Sequence, residues 1–321
     1  MNNRLTIKDI ARLSGVGKST VSRVLNGEHS VSQKTRDRVE AVIHQQGFTP
    51  SKSARAMRGQ SDRVVGIIVS RLDSPAENQA VRTMLPLFYQ HGFDPIIMES
   101  QFDPELVSGH LHMLAQRHVD GVILFGFNGL TEALLSRWQE KMVVMVRQYV
   151  GFSSVRYDDA GAVNLLMDSL SQQGHRHISY LGVNQSDATT GACRYQAYIA
   201  GCQRLNITPL SSSGELSFQH GYDHASSVLA AETTALICAS DSIALGAIKY
   251  LQQQKITGIQ VGAIGNSPLL SFLFPETLSV EFGYDKAGVQ AAQQLLAQLN
   301  GESVLRDIVV PCHLNSPPAF L

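Results

Sequence analysis

The sequence has no apolar run long enough to cross a membrane. A helix needs about 20 consecutive apolar residues to span the hydrocarbon core of a bilayer, and no run here reaches that length. The first ten residues, MNNRLTIKDI, also lack the apolar stretch of a signal peptide. The sequence therefore predicts a cytoplasmic protein without membrane contact.

Cysteine is scarce and never occurs at metal-binding spacing. The absence of a C-x-x-C pair argues against the common zinc motifs and against the disulfide framework of a small secreted domain. His110 and His112 stand two residues apart on a predicted helix, so their side chains do not share a face. We therefore expect no metal site and no resident cofactor. The four cysteines are Cys193, Cys202, Cys238 and Cys312.

Common active-site motifs are missing as well. The sequence contains neither a G-x-S-x-G nucleophile elbow nor an H-E-x-x-H zinc motif. Asp158 and Asp159 are adjacent, and adjacent side chains of an extended chain point in opposite directions, so they do not form a catalytic pair. The sequence thus predicts a protein that is not an enzyme.

The chain also lacks a net charge of either sign, and its formal charge of −1 taken alone argues against a nucleic-acid partner. The charge is unevenly distributed, however. Residues 1–60 hold eleven basic and four acidic side chains, a charge of +7, whereas the remaining chain holds 15 basic and 23 acidic ones, a charge of −8. A small basic head on a large acidic body predicts that the head contacts a polyanion.

The body shows continuous apolar runs that alternate with helical stretches. Such runs predict strands buried on both faces, as in a parallel sheet covered by helices. We therefore predict a doubly wound α/β body that is long enough for two lobes. We place the crossings of the chain between these lobes near 158–161, 282–285 and 302–307. The runs are VVGIIV (64–69), PIIM (95–98), GVILFGF (121–127), VVMV (143–146), HISYLGV (177–183), TALICA (234–239), VGAIG (261–265) and DIVVP (307–311).

The head contains the pattern of short helices only. Thr6 can cap a first helix, the residues 14–16 form a Gly-containing turn, and a second helix follows from Gly17 with a polar outer face. A third helix is predicted over 32–46 and ends at Gly47. Two helices joined in this way form a helix-turn-helix, which fits the major groove of DNA.

Four segments resemble the LacI/GalR family of bacterial repressors. The resemblance covers essentially the whole chain and implies an all-α DNA-binding head (1–46), a hinge helix and linker (47–60) and a two-lobed effector domain like that of periplasmic binding proteins (61–321). It also implies a homodimer, and a dimer with two such heads binds a palindromic double-stranded operator. The segments are LTIKDIARLSGVGKSTVSRVLNG (5–27), VSQKTRDRVEAVI (31–43), GFTPSKSARAM (47–57) and GHRHISYLG (174–182).

The resemblance implies which residues contact DNA. The start of the second helix would read bases, where Lys and Arg suit the O6 and N7 atoms of guanine. Polar residues nearby would bind phosphates, and an apolar side chain of the hinge would wedge into a minor-groove step. The implied residues are Thr6, Lys18, Ser19, Thr20, Ser22, Arg23, Asn26, Ala54 and Met57.

Polar and basic side chains follow the predicted strands of the body. Ligands of doubly wound sheets bind outside the carboxyl ends of the strands, so these side chains form a candidate ligand site. Acids and hydroxyls suit a sugar, but three arginines exceed what a neutral sugar requires and can bind phosphate, so we hypothesise a phosphorylated sugar. The candidates are Arg71, Leu72, Asp73, Ser74, Glu77, Gly126, Arg147, Asp187, Ala188, Thr189, Thr190, Arg194, Asp241, Ser242 and Tyr284.

Segments such as TMLPLFYQHGFDPIIMESQF (83–102) resemble the branch of the family that controls trehalose operons. This resemblance implies trehalose 6-phosphate as the effector. It also implies that the effector changes the closure of the lobes and releases the operator, although residues alone leave the sign of the coupling open. Two alternatives remain: a repressor of this family that responds to another sugar or small effector, and, more remotely, a sugar-phosphate enzyme.

Overall fold

The computed structural model describes residues 5–25, 28, 30–48, 63–302 and 304–315. The chain separates into two compact units, Met1–Arg63 and Val64–Leu321, which contain the head and the body respectively. Several sequence predictions lie outside the described residues: the DNA-contact candidates Asn26, Ala54 and Met57, and the hinge beyond Phe48.

The described part of the head consists of helices α1 (Ile7–Ser14), α2 (Lys18–Leu25) and α3 (Gln33–Gln46). Thr6 caps α1, because its backbone N–H and its hydroxyl both donate to the carboxylate of Asp9, at 2.9 and 2.6 Å. A carboxylate in the first turn also interacts favourably with the helix dipole.

Two glycines end helices of the head. Gly15 and Gly47 adopt left-handed φ angles of 66° and 56°, a conformation that costs glycine nothing, and they end α1 and α3. The apolar faces of the helices then meet in a small core. The predicted helix-turn-helix is confirmed. Its core residues are Ile10, Ala11, Val21, Val24, Val39 and Phe48.

The first lobe of the body contains one sheet. With the strands numbered in chain order, strands 11, 5, 4, 3 and 1 lie side by side in that order, and each runs parallel to its neighbours. Strand 2 forms the other edge of this sheet. Its strands are β1 (Arg63–Val69), β2 (Phe93–Glu99), β3 (Gly121–Phe125), β4 (Met142–Met145), β5 (Ser153–Tyr157) and β11 (Asp307–Val310). Its helices are α4 (Pro75–Gln90), α5 (Pro104–Gln116), α6 (Glu132–Leu135) and α12 (Tyr284–Leu299), with a 3-10 turn at Ser136–Lys141.

The second lobe has a sheet in the strand order 12-10-9-8-6-7, parallel except for the antiparallel pair 10 and 12. Its strands are β6 (Ile178–Val183), β7 (Ser211–Gly214), β8 (Ala235–Cys238), β9 (Gln260–Gly265), β10 (Leu278–Glu281) and β12 (His313–Asn315). Its helices are α7 (Asp159–Gln172), α8 (Arg194–Leu205), α9 (Phe218–His224), α10 (Asp241–Gln253) and α11 (Pro268–Leu273), with a π-helical turn at Ala188–Cys193 and a 3-10 turn at Ala225–Val228. The doubly wound α/β fold in two lobes is confirmed.

The chain crosses between the lobes three times in the described body, after Tyr157, after Glu281 and after Val310. The crossover predicted near 302–307 is wrong. That segment leads from α12 into β11, which pairs in parallel with β5 and therefore still belongs to the first lobe. The chain enters the second lobe for the last time only as it reaches β12.

Candidate functional site

A cleft with about 1050 Å³ of empty space lies between the two lobes. It is lined by the segments that follow β1, β3 and β4 in the first lobe and β6, β8 and β9 in the second. These are the carboxyl ends of parallel strands, where doubly wound sheets bind ligands. The cleft is therefore the candidate functional site of the body.

Most of the predicted ligand residues come together in this cleft. Leu72, Asp73 and Ala188 do not line it and are exposed, because they stand in turns whose neighbouring residues face the cleft instead. The twelve predicted residues that line it are Arg71, Ser74, Glu77, Gly126, Arg147, Asp187, Thr189, Thr190, Arg194, Asp241, Ser242 and Tyr284.

Arg194 is buried at the floor of the cleft, with 4% of its surface exposed. Its Nε donates to the carboxylate of Asp159 at 2.6 Å, its Nη1 donates to the backbone oxygen of Ala239, and its guanidinium lies 4.5 Å from the ring centroid of Phe282. Burial disfavours the cation, but the Asp159 carboxylate outweighs it, so the pKa of Arg194 lies above its ordinary value. The guanidinium of Arg194 thus links its own helix α8 to α7, to the end of β8 and to the crossover after β10.

Three aromatic rings surround the first two crossovers. Tyr157 stacks on Phe282 with ring centroids 4.9 Å apart, and Tyr284 packs edge-on against both rings, at 5.2 and 5.5 Å. Burial raises the pKa of Tyr284, whose ring also lines the cleft. The floor of the cleft is therefore a packed apolar layer located where the lobes are joined.

The acids of the cleft mostly accept hydrogen bonds from backbone N–H groups. Glu77 accepts from Ser70 and Arg71, and Asp187 accepts from the backbone of the π-helical turn. Asp241 accepts from the backbone that follows β9, at 3.2 and 2.6 Å. Burial raises the pKa of Glu77 to about 7 and the pKa of Asp241 to about 6, although these N–H groups act in the opposite direction.

Two arginines on the cleft wall have mainly neutral partners. Arg71 donates from Nη1 to the backbone oxygen of Leu216 in the second lobe at 3.1 Å, and its Nε lies 3.4 Å from the exposed carboxylate of Asp73. Arg147 donates to the side-chain oxygen of Asn128. No ion pair among the described residues joins Arg147 to a carboxylate.

The backbone is strained just before Arg147. Val146 has a φ of 74°, and a left-handed φ is unusual for a β-branched residue. The N–H of Val146 donates to the backbone oxygen of Val155 at 2.9 Å, and this bond ties the segment to β5. Such strain persists only where the surrounding structure enforces it, and it occurs often at binding sites.

Sequence reasoning did not assign several residues that line the cleft. Most are apolar or lie in the crossovers, so their own chemistry carries no signal for a ligand. The detectable signal is position, since Tyr157 ends a strand and Phe282 follows one at a crossover. The unassigned lining residues include Phe102, Phe125, Tyr157, Leu216, Ser240, Ser267 and Phe282.

The head presents a polar face on α2. Lys18, Ser19 and Arg23 are exposed, while Thr20 and Ser22 are half-buried. The Nε of Arg23 lies 3.9 Å from the carboxylate of Glu28, and both side chains are about half exposed, so solvent weakens this pair. Thr6 is exposed at the start of α1. These six predicted DNA-contact residues thus have at least partial solvent access.

Within the described ranges, no group of three or more His, Cys, Asp or Glu side chains is placed to hold a metal ion. Among the helices of this part of the chain, none combines the length and apolar character needed to cross a bilayer.

Two family models match the chain. Residues 6–51 match the bacterial regulatory proteins of the lacI family, and residues 167–316 match the periplasmic binding protein-like domain. The HTH-type transcriptional regulator TreR of Escherichia coli K12 is 58% identical over 315 residues, which cover 98% of this chain and 100% of that relative. TreR of Salmonella typhimurium is 58% identical over 314 residues, with the same coverage.

Solved structures agree with these matches. The trehalose repressor from Escherichia coli superposes with a TM-score of 0.79 at 52% identity, over 79% of this chain and 100% of that one. The lac repressor dimer bound to operator superposes with a TM-score of 0.82 over 98% of both chains, and at 21% identity this shows the shared fold alone. Because 58% identity extends over nearly the whole of both chains, this protein belongs to the LacI family of bacterial transcriptional regulators.

Proposed function

We propose that this protein is the cytoplasmic, homodimeric repressor of a trehalose operon, and that trehalose 6-phosphate bound in the cleft releases it from a palindromic operator. The observation that carries the proposal for the ligand is the charge arrangement of the cleft. Arg71 and Arg147 line it without a close, buried carboxylate partner. A guanidinium in this situation is suited to a phosphate, which it binds through two parallel hydrogen bonds.

The acids of the cleft do not neutralise these arginines directly. Glu77, Asp187 and Asp241 accept backbone N–H groups of their own lobes, and the Asp159 carboxylate is paired with Arg194. Raised pKa values of Glu77 and Asp241 lower the average negative charge of the cleft further near neutral pH. An anionic ligand therefore meets two guanidiniums of the cleft wall: Arg147 has an amide partner, and the ion-pair partner of Arg71 is the exposed carboxylate of Asp73.

The sugar half of the ligand is supported by a different set of groups. Thr189, Thr190 and Ser242 line the cleft with hydroxyl groups that can donate and accept, and the aromatic floor offers an apolar surface for a sugar ring. The relative from Escherichia coli is named a trehalose repressor.

The proposed mechanism couples the cleft to the heads. Ligand that contacts both lobes changes how far the lobes close, and in a dimer this changes the spacing of the segments that lead to the two heads. The residues proposed to read bases are Lys18, Ser19, Thr20 and Arg23, while Thr6, Ser22 and Asn26 bind phosphates and Ala54 and Met57 belong to the hinge. A coupling of about 1–3 kcal/mol corresponds to a 5- to 150-fold loss of operator affinity.

Calorimetric titration of the full-length protein tests the ligand. We expect trehalose 6-phosphate to bind at least about tenfold more tightly than trehalose, because a charge-assisted guanidinium–phosphate contact is worth about 1.5–3 kcal/mol. Arg147→Gln should remove most of this preference, whereas Arg137→Gln, at an exposed arginine that does not line the cleft, should retain it. Equal affinity for both sugars, or tight binding of a different sugar, would exclude this ligand.

Gel-shift titration of the same protein on trehalose-operon DNA tests the regulation. We expect trehalose 6-phosphate to release the DNA, and stronger retention in its presence would reverse the sign of the coupling. Steady hydrolysis of the ligand during the titration would instead support the sugar-phosphate enzyme.

A further inference from the structure

The carboxylate of Glu77 is directed at the backbone of the turn between β1 and α4. Its Oε2 accepts the backbone N–H of Ser70 at 2.7 Å and that of Arg71 at 3.4 Å. The backbone N–H of Glu77 donates in turn to the hydroxyl of Ser74, the residue that caps α4. This single carboxylate therefore ties the first turn of α4 to the two residues that follow β1.

The same turn carries Arg71 across the cleft. Strand β1 ends at Val69, so only Ser70 separates the strand from Arg71. The Nη1 of Arg71 reaches the backbone oxygen of Leu216 in the second lobe at 3.1 Å. The orientation of the Ser70–Arg71 backbone thus influences where this guanidinium lies. Glu77 accepts both N–H groups of this backbone, while the backbone N–H groups of Gln101 and Ser74 donate to its two carbonyl oxygens, at 2.9 and 3.3 Å.

Few charged groups face Glu77. Arg71 attracts its carboxylate from the turn, and the buried hydroxyl of Tyr157 approaches it from β5. Burial disfavours the ionised carboxylate and raises the pKa of Glu77 to about 7, against the influence of Arg71 and of the two N–H groups. The carboxylate therefore changes charge within the range of physiological pH.

We propose that Glu77 is a positioning residue: its ionised carboxylate fixes the Ser70–Arg71 backbone, and effector recognition by Arg71 depends on this support. The inference rests on the proposed function for the identity of the ligand. It assigns Glu77 a role distinct from direct contact with the sugar, which was the role expected from the sequence. Protonation of Glu77 weakens its acceptance of two N–H groups, so the affinity that arises from Arg71 should fall as the pH decreases through about 7.

A double-mutant cycle with trehalose 6-phosphate tests the inference in the full-length protein at a pH of about 8, where Glu77 is ionised. We expect Glu77→Gln to weaken binding about tenfold and Arg71→Ala about 10- to 100-fold. The double variant should bind no more than about twofold more weakly than Arg71→Ala, because Glu77 acts through Arg71. A loss of affinity in the double variant equal to the product of the two single losses would overturn the inference.

Asp120 offers a matched control. Its carboxylate accepts the backbone N–H of Val64 at 2.8 Å, so it holds the opposite end of the same strand β1, away from the cleft. Asp120→Asn should leave the affinity unchanged even where it lowers the melting temperature. An equal loss of affinity in Asp120→Asn and Glu77→Gln would show a general loosening of the strand and would overturn the inference.

A measurement without ligand separates this inference from the proposed function. Hydrogen exchange at the amides of Ser70 and Arg71, compared with wild type at each pH, should be faster in Glu77→Gln at a pH of about 8, and the difference should shrink at about 6. Glu77→Asp, which keeps the charge and shortens the reach, serves if Glu77→Gln does not fold. Protected amides in both variants would refute the positioning role, whereas a wild-type protein that ignores trehalose 6-phosphate refutes only the ligand.

Discussion

The buried pair of Asp159 and Arg194 allows the sharpest prediction about stability. Both side chains are under 10% exposed, and their contact is 2.6 Å long. Removal of one partner of a buried pair leaves an unpaired charge and costs about 3–5 kcal/mol. Arg194→Met should therefore destabilise the body strongly, although methionine fills much of the same apolar space.

Scanning calorimetry of the full-length protein measures the effect. For a unit of about 250 residues, a loss of 3–5 kcal/mol lowers the melting temperature by about 6–20 °C. Asp159→Asn should cause a similar decrease in the melting temperature, since it leaves the buried guanidinium of Arg194 without a carboxylate partner. The double variant should melt no lower than the worse single variant, because no unpaired charge remains in it, although the contacts of Arg194 with Ala239 and Phe282 stay lost.

The pH dependence provides an independent check. Without Arg194, the buried carboxylate of Asp159 has a folded-state pKa above its unfolded value, because burial raises it. A raised folded-state pKa contributes stability at low pH that is lost as the pH increases through that value. The deficit of Arg194→Met should therefore shrink on acidification from a pH of about 7 to about 4. Single variants that melt within about 2 °C of the wild type, or a double variant with additive losses, would refute this account of the pair.

Three further predictions concern other regions. Urea unfolding measures the free energy of unfolding of the wild type relative to that of Glu77→Gln. This difference should fall by up to about 3 kcal/mol as the pH increases from about 4 to 8, because burial raises the pKa of Glu77 from 4.5 to about 7. A difference that stays constant with pH would contradict this prediction. Gly288→Ala should destabilise the body by about 1–3 kcal/mol, since its Cβ would lie 2.1 Å from a backbone oxygen of α4, whereas Gly109→Ala, with open space around it, should be neutral or stabilising in thermal melts. Lys18→Ala should weaken operator binding about 10- to 100-fold in fluorescence anisotropy, and unchanged affinity would remove Lys18 from the base contacts.

Much of the fold could be predicted because apolar runs report burial directly. The strands β1, β3, β6, β8 and β9 are runs made mostly of Val, Ile, Leu and small residues, and all five are found. The helices of the head could be predicted equally well, because capping residues and glycines mark where short helices begin and end. The two resulting units carry opposite net charges in the sequence, and the helix-turn-helix lies in the basic one.

Three strands carry too little apolar character to be detected in this way. The sequences SSVRY of β5, SSSG of β7 and HLN of β12 are short and polar, and they become strands because neighbouring strands offer them hydrogen bonds. The third crossover was misplaced for a related reason. Only the pairing of β11 with β5 shows that the chain remains in the first lobe until residue 310.

For the candidate site, too, the sequence predicted one part and left another part open. Residue order after each strand was enough to collect twelve of its members, because the carboxyl ends of parallel strands meet at one edge. Residue order could not identify the hydrogen-bond and ion-pair partners of these residues. The carboxylate of Glu77 holds the backbone beside Arg71, Arg194 is paired with Asp159, and Arg147 has an amide partner.

The sequence by itself therefore determined the two-part organisation, the helix-turn-helix, the doubly wound body and the chemical types of residue at its strand ends, since these follow from local periodicity and charge. Tertiary structure alone decided which strands complete each sheet, where the chain crosses between lobes and which acids neutralise which arginines. Those outcomes depend on contacts between residues far apart in the chain. Asp159 and Arg194 are 35 positions apart, and only packing brings their charges within 2.6 Å.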